Sequence, residues 1–268
     1  MLTNRAFAVL AVPAFAAAAA WPGAVGAKAT ECTKIGTCYC VNEELKPAIT
    51  ARVERFRQLI AEQRKAGKAI GYMSLPLTST GGGNFDINRE VAFSVKAAVE
   101  KRFGADSVFL FNPAVLEADL DKGTGADYML MWTTVMEGPD GLGDFDFAYF
   151  VGPQDFARYF GFDGNNDGAK LDAYFDKRVK DNPAFEKAVQ GGLTKATFRR
   201  YYLVRASAVV SRGAHDEWNI IRMLNDRRRA DAKLGTGAQI AVLFDGRPIS
   251  PSAIEAGVSD GYVGKCAP

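Results

Sequence analysis

AIGYMSLPLTSTGGGNFDINREVAFSVKAAVEKRFGADSVFLFNP, residues 69–113, decides the fold. It begins with a short apolar run, Ala69 to Leu77, bounded by turn formers, as a buried strand requires. A glycine-rich loop, Thr78 to Asn84, follows. From about Asp86 to Phe103 the residues Val91, Val95, Ala98 and Val99 recur at helical spacing, and Ser107 to Phe111 is a second apolar run that stops at Asn112-Pro113. Strand, loop, helix, strand opens a parallel sheet, because parallel strands cannot be joined by a tight hairpin and need a crossover.

The same reading extends outward. Upstream, Pro47 opens an amphipathic helix in which Ile49, Val53, Phe56 and Ile60 lie on one face, ending at Gly67. Downstream, Ala126 to Glu137 is long enough to favour helix, whereas Asp144 to Val151 alternates and is rich in aromatics, as a strand is. Pro153 suits the first turn of a helix carrying Phe156, Tyr159 and Phe160. Helices are predicted at about 169–179, 183–189, 195–210 and 216–233, a last strand over 238–244 and a short helix at about 253–256. No repeat, low-complexity tract or linker divides the chain. The prediction is a single α/β domain, an open and mainly parallel sheet flanked by helices, with a helical insertion at about 161–235. An α+β layout is the alternative, since strand order is not readable here.

Residues 1–27 carry one positive charge at Arg5, an apolar run from Ala6 to Trp21 and a small-residue site at Val25-Gly26-Ala27. That is the layout of a secretory signal peptide cleaved before Lys28, and the run is short and alanine-rich for a membrane anchor. A secreted or periplasmic domain over 28–268 is expected, with no membrane association after cleavage. Its cysteines, Cys32, Cys38, Cys40 and Cys266, read as two disulfides of an oxidising compartment. Cys38 and Cys40 are too close to pair without strain, so one of the first three is predicted to reach Cys266 while the other two pair locally. Such a long bridge constrains the unfolded chain by about 4 to 5 kcal/mol on the chain-entropy model. A four-cysteine zinc site is the rival, but the spacing lacks two C-x-x-C knuckles.

With 33 Lys plus Arg against 31 Asp plus Glu, the balance provides no electrostatic case for nucleic acid. The lone histidine, His215, excludes multi-histidine metal sites within one chain. It sits at an apparent helix start without a G-x-S-x-G nucleophile. The segment from Asp163 to Gly168 starts like a calcium loop, then fails with Lys170 and Tyr174 at its eighth and twelfth positions, and reads as a turn. Arg227 to Arg229 read as a solvated helix face. No nucleotide fingerprint is present and no cofactor or metal is expected.

Two features carry chemistry. Consecutive glycines after a strand let the backbone approach a ligand, at the carboxyl end of a sheet where open α/β folds bind them. Carboxylates also gather at strand ends and helix starts: Glu90, Asp127, Asp144, Asp146, Asp155, Asp245 and Glu255. Paired acids serve glycosyl chemistry when the fold brings them together, although caps and solvated acids look the same in sequence.

IGYMSLPL (Ile70 to Leu77), the glycine-rich loop, a helix with NREVA (Asn88 to Ala92) and SVFLFNP (Ser107 to Pro113) resemble the opening of the nucleoside 2-deoxyribosyltransferase-like family. AVLFDGRPISPSAIEAGVSDGYVGK (Ala241 to Lys265) is similar to that family's strand, acidic turn and Glu-x-Gly helix. The resemblance implies Glu255 as nucleophile at an anomeric carbon, with Asp245 an acid near it. The spacing between these two acids is wider than the family's, and a further strand expected after them is missing. The candidate ligand-binding residues are Ser74, Gly81, Gly82, Gly83, Asn84, Asn112 and Asp155. The function expected is an exported protein binding a small nucleoside- or sugar-like molecule, with N-glycosyl hydrolase or transferase chemistry through carboxylates. The alternative is a non-catalytic binding or envelope-interaction protein that uses an aromatic-rich face including Phe145, Phe147, Tyr149 and Phe150. Neither reading fixes the oligomeric state.

Overall fold

A computed structural model describes residues 26–77, 80–115, 118–231, 239–254, 256–258 and 261–267. The leader read over residues 1–27 falls almost wholly outside them, as does Glu255. The chain is an α/β protein. Its main sheet contains β3 (Ala69–Ser74), β4 (Val108–Phe111), β5 (Phe147–Phe150), β6 (Ala241–Phe244) and β7 (Arg247–Pro248) in the order β4-β3-β5-β6-β7. The first four are parallel and β7 closes the edge antiparallel.

Helices cover both faces. Ile70 and Tyr72 of β3, Phe111 of β4, Ala148 and Phe150 of β5 and Val242 of β6 pack toward α1 (Lys46–Lys65), α3 (Gly125–Glu137) and α8 (Arg212–Ala230). The alternate residues Met73, Leu110 and Tyr149 pack toward α2 (Phe85–Phe103), α4 (Pro153–Phe160), α5 (Asp167–Asp181), α6 (Pro183–Gln190) and α7 (Lys195–Arg200). Burial on both faces is why these strands read as nearly continuous apolar runs. It also removes the aromatic docking face expected on β5: Phe145, Tyr149 and Phe150 are core residues, and Phe147 lies half-buried against the second layer. The Phe147 ring occupies the place a side chain at Gly71 would take, since a Cβ there would stand 2.2 Å from it.

Two expected elements differ. The helix predicted over 195–210 ends as α7 at Arg200, then widens into a π turn over Tyr201–Arg205 and a short 3-10 turn over Ala208–Val210. The short helix near residue 253 is α9 (Pro251–Ile254). Sequence reasoning also missed a hairpin, β1 (Lys28–Cys32) and β2 (Cys38–Asn42), where it read only a cluster of cysteines. Cys32 and Cys38 are register partners and form one disulfide, while Cys40 pairs with Cys266. Two disulfides are compatible with an exported protein. Among the described residues no helix is long and apolar enough to cross a membrane.

Candidate functional site

The chain leaves β3 toward β4 on one side and then returns to place β5 on the other. A right-handed crossover that reverses direction must change face, so α2 covers one face and α3 the opposite one. The connections after β3 and β4 therefore part, and a cavity of about 260 Å³ lies there. Leu75 and Leu77 line it from the end of β3, Pro113 and Ala114 from the end of β4. Gly125, Tyr128, Met129 and Trp132 contribute one face of α3, their spacing being that of a single helical stripe.

Two carboxylates stand in its wall, the exposed Asp119 and the buried Glu217. On α8 the buried residues Ala214, Glu217, Ile220, Ile221 and Leu224 form the stripe that packs on the sheet, which puts a carboxylate where an apolar residue would ordinarily stand. Opposite it, Tyr72 and Ser74 project from the same face of β3, two residues apart. The Tyr72 hydroxyl donates to Oε1 at 2.5 Å and the Ser74 hydroxyl donates to Oε2. Burial raises the Glu217 pKa to about 7 against the stabilising hydroxyls of Ser74 and Tyr72, and the adjacent Asp216 adds to the rise. Burial and the carboxylate together push the Tyr72 phenol well above its ordinary range, so it stays a donor. Near neutral pH Glu217 holds both protonation states, the condition for a group that gives and takes a proton.

Ser74 is thus the sequence-predicted residue that the fold brings to the cavity's carboxylate. Glu217 and Tyr72 were missed, though the signal was present: an acid on the apolar stripe of a predicted helix, and two polar side chains alternating in an apolar strand. The glycine-rich loop plays a different part. Gly82 lies so close to α7 that a Cβ would meet the Thr197 carbonyl oxygen at 2.2 Å, and Asn84 caps α2 by accepting from the Ile87 amide. Gly81 takes a positive φ of 75°, and neither Gly81, Gly83 nor Asn84 lines the cavity, although Phe85 beside them does. Asn112 turns the chain after β4 by accepting from the Ala114 amide, and its Nδ2 has no hydrogen bond among the described residues.

Most of the carboxylates singled out by position are ties. Asp245 accepts from the amides of Gln154 and Asp155, capping α4 from across the sheet. Asp155 accepts from the Tyr149 hydroxyl, the Gly152 amide and Arg158. Asp127 closes a capping box with Thr124 and holds the backbone and side chain of Asn42. Asp146 accepts from the Ile70 amide, and Glu90 from Tyr159 and Arg178. Asp245 and Asp155 do not line the cavity. Arg228 departs from the solvated face expected of it: half-buried, it donates to the carbonyls of Leu142, Gly143 and Phe145. In the turn at Asp163, the Lys170 ammonium bridges Asp163 and Asp167. His215 Nε2 lies 2.7 Å from the Val209 carbonyl oxygen. Among the described residues no group of three or more His, Cys, Asp or Glu is placed to hold a metal ion. Comparisons with protein-family models, with curated proteins and with solved structures find no match to this chain.

Proposed function

We propose that the protein binds a small nucleoside- or sugar-like molecule in the cavity beyond β3 and β4, with Glu217 as its acid–base group. The observation that carries this reading is a buried carboxyl in a cavity wall, held by two hydroxyls from one strand. Trp132 and Tyr128 offer the apolar surface against which a base or sugar packs, and the cavity holds one small molecule rather than a polymer. For an N-glycoside, Glu217 in its acid form protonates the departing base as the C–N bond breaks. Water then adds to the anomeric carbon and gives its proton to a carboxylate, for which Asp119, also in the wall, is available.

The test is calorimetric binding of adenosine, cytidine, thymidine and ribose, with chromatography of any base released. Glu217→Gln is expected to keep binding and to lose roughly 10²- to 10⁴-fold in turnover, the range for a general acid–base group. Turnover equal to that of the unaltered protein overturns the assignment.

A further inference from the structure

We propose that residues 261–267 form a wall of this cavity, that Tyr262 is the ligand-contacting residue in it, and that the Cys40–Cys266 bond holds the wall shut. The inference rests on the cavity being the binding site. Tyr262 lines the cavity from a segment that belongs to neither the sheet nor its helices. Its ring lies over the first residue of α3, where a Cβ on Gly125 would stand 2.3 Å from it, and the Arg212 guanidinium lies 4.7 Å from the ring centroid. Its amide donates to Asp216 Oδ2 at 2.6 Å, and Arg212 donates to the Gly261 carbonyl at 2.7 Å.

These contacts tie the segment to α8 immediately beside Glu217, so the wall and the acid share one helix turn. At its other end the segment is fastened to the hairpin: the Gly264 amide donates to the Cys38 carbonyl, the Cys266 amide to Thr30 Oγ1, and Cys266 is bonded to Cys40. Gly264 is exposed and Cys266 half-buried, and water competes for the exposed hydrogen bond from Cys266 to Thr30. The covalent bond is the attachment water cannot replace. Breaking it leaves the segment to its hydrogen bonds and ring contacts alone and loosens the side of the cavity that Tyr262 closes, so entry of a small molecule depends on the state of this disulfide.

Trp132 reports on the wall because it lines the same cavity. With Trp21 and Trp218 both replaced by Phe, it is the remaining indole of the three in the chain. Quenching of its fluorescence by acrylamide, a small neutral solute, is expected to rise at least about threefold in Tyr262→Ala and in the Cys40→Ser, Cys266→Ser pair. Tyr262→Phe, which keeps the ring, is expected to quench like the parent. Unchanged quenching in Tyr262→Ala overturns the proposal, as does a rise in the cysteine pair that comes only with loss of cooperative unfolding. Adenosine binding on the same proteins separates the two readings. A quenching rise in a protein that binds no nucleoside leaves the wall standing and removes the proposed function. Nucleoside affinity equal in the parent, Tyr262→Ala and the cysteine pair removes the wall and leaves the function.

Discussion

Two buried acids stand near the carboxyl ends of the strands, and their partners differ. Beyond β5 and β6, Asp245 turns back onto the start of α4, where a Cβ on Gly152 would meet the Asp245 side chain at 2.6 Å. Each oxygen of that carboxylate accepts from a backbone amide. Beyond β3 and β4, Glu217 is satisfied by two side-chain hydroxyls, and its carboxyl is left facing a cavity. A backbone amide can only donate, whereas a hydroxyl can donate or accept and so can partner a carboxyl in either protonation state. On the function proposed above, the partner of a buried acid separates a structural acid from a chemical one better than its place on the sheet does.

The largest effect that tests this contrast is a pH dependence. Glu217 binds its proton more tightly in the fold, with a pKa near 7, than in the unfolded chain, near 4.5. Its contribution to stability is therefore full below about pH 4.5 and is lost as pH rises through about 7, a change on the order of 3 kcal/mol. Urea unfolding of the parent and of Glu217→Gln at about pH 4, 6 and 8.5 should show their difference moving by that amount in favour of the variant at high pH. A difference that stays flat erases the distinction between the two acids.

The next effect lies at Asp245. Asp245→Ala removes the acceptor of two amides at a helix start and should cost about 2 kcal/mol of stability near neutral pH, with nucleoside binding unaffected. Denaturant midpoints compared with calorimetry check it, and a loss of binding at full stability would return Asp245 to the site. The smallest is Ser74→Ala. Its hydroxyl favours the ionised carboxylate, so its removal should raise the Glu217 pKa still further, by an amount worth about 1 kcal/mol. The carboxyl signal of Glu217 in a pH titration by NMR measures this directly, and a lowered value contradicts the assigned hydrogen bond.

The parallel strands and most helices were legible because each is a periodic pattern contained in one stretch of chain. The break after Arg200 was not, since Tyr201 and Tyr202 continue the apolar spacing and it is their packing under α2 that unwinds the turn. The hairpin was hidden because its strands are short and polar outside, though Tyr39 and Val41 alternate with Cys38 and Cys40 as a strand should. For the site, the end of β3 was legible and the acid beside it was not. Position at a strand end marks Asp245 as a candidate, while its capping partners lie some 90 residues away in sequence. Glu217 broke a different rule, that of its own helix.

The hairpin also sets a timetable. Cys40 precedes its partner by 226 residues, so at ordinary rates of synthesis roughly 10 to 45 s separate the two thiols. Cys32 and Cys38 lie six residues apart and face each other across a turn, so they find one another early and withdraw from competition. Cys40 is then a thiol held in waiting until Cys266 has been made.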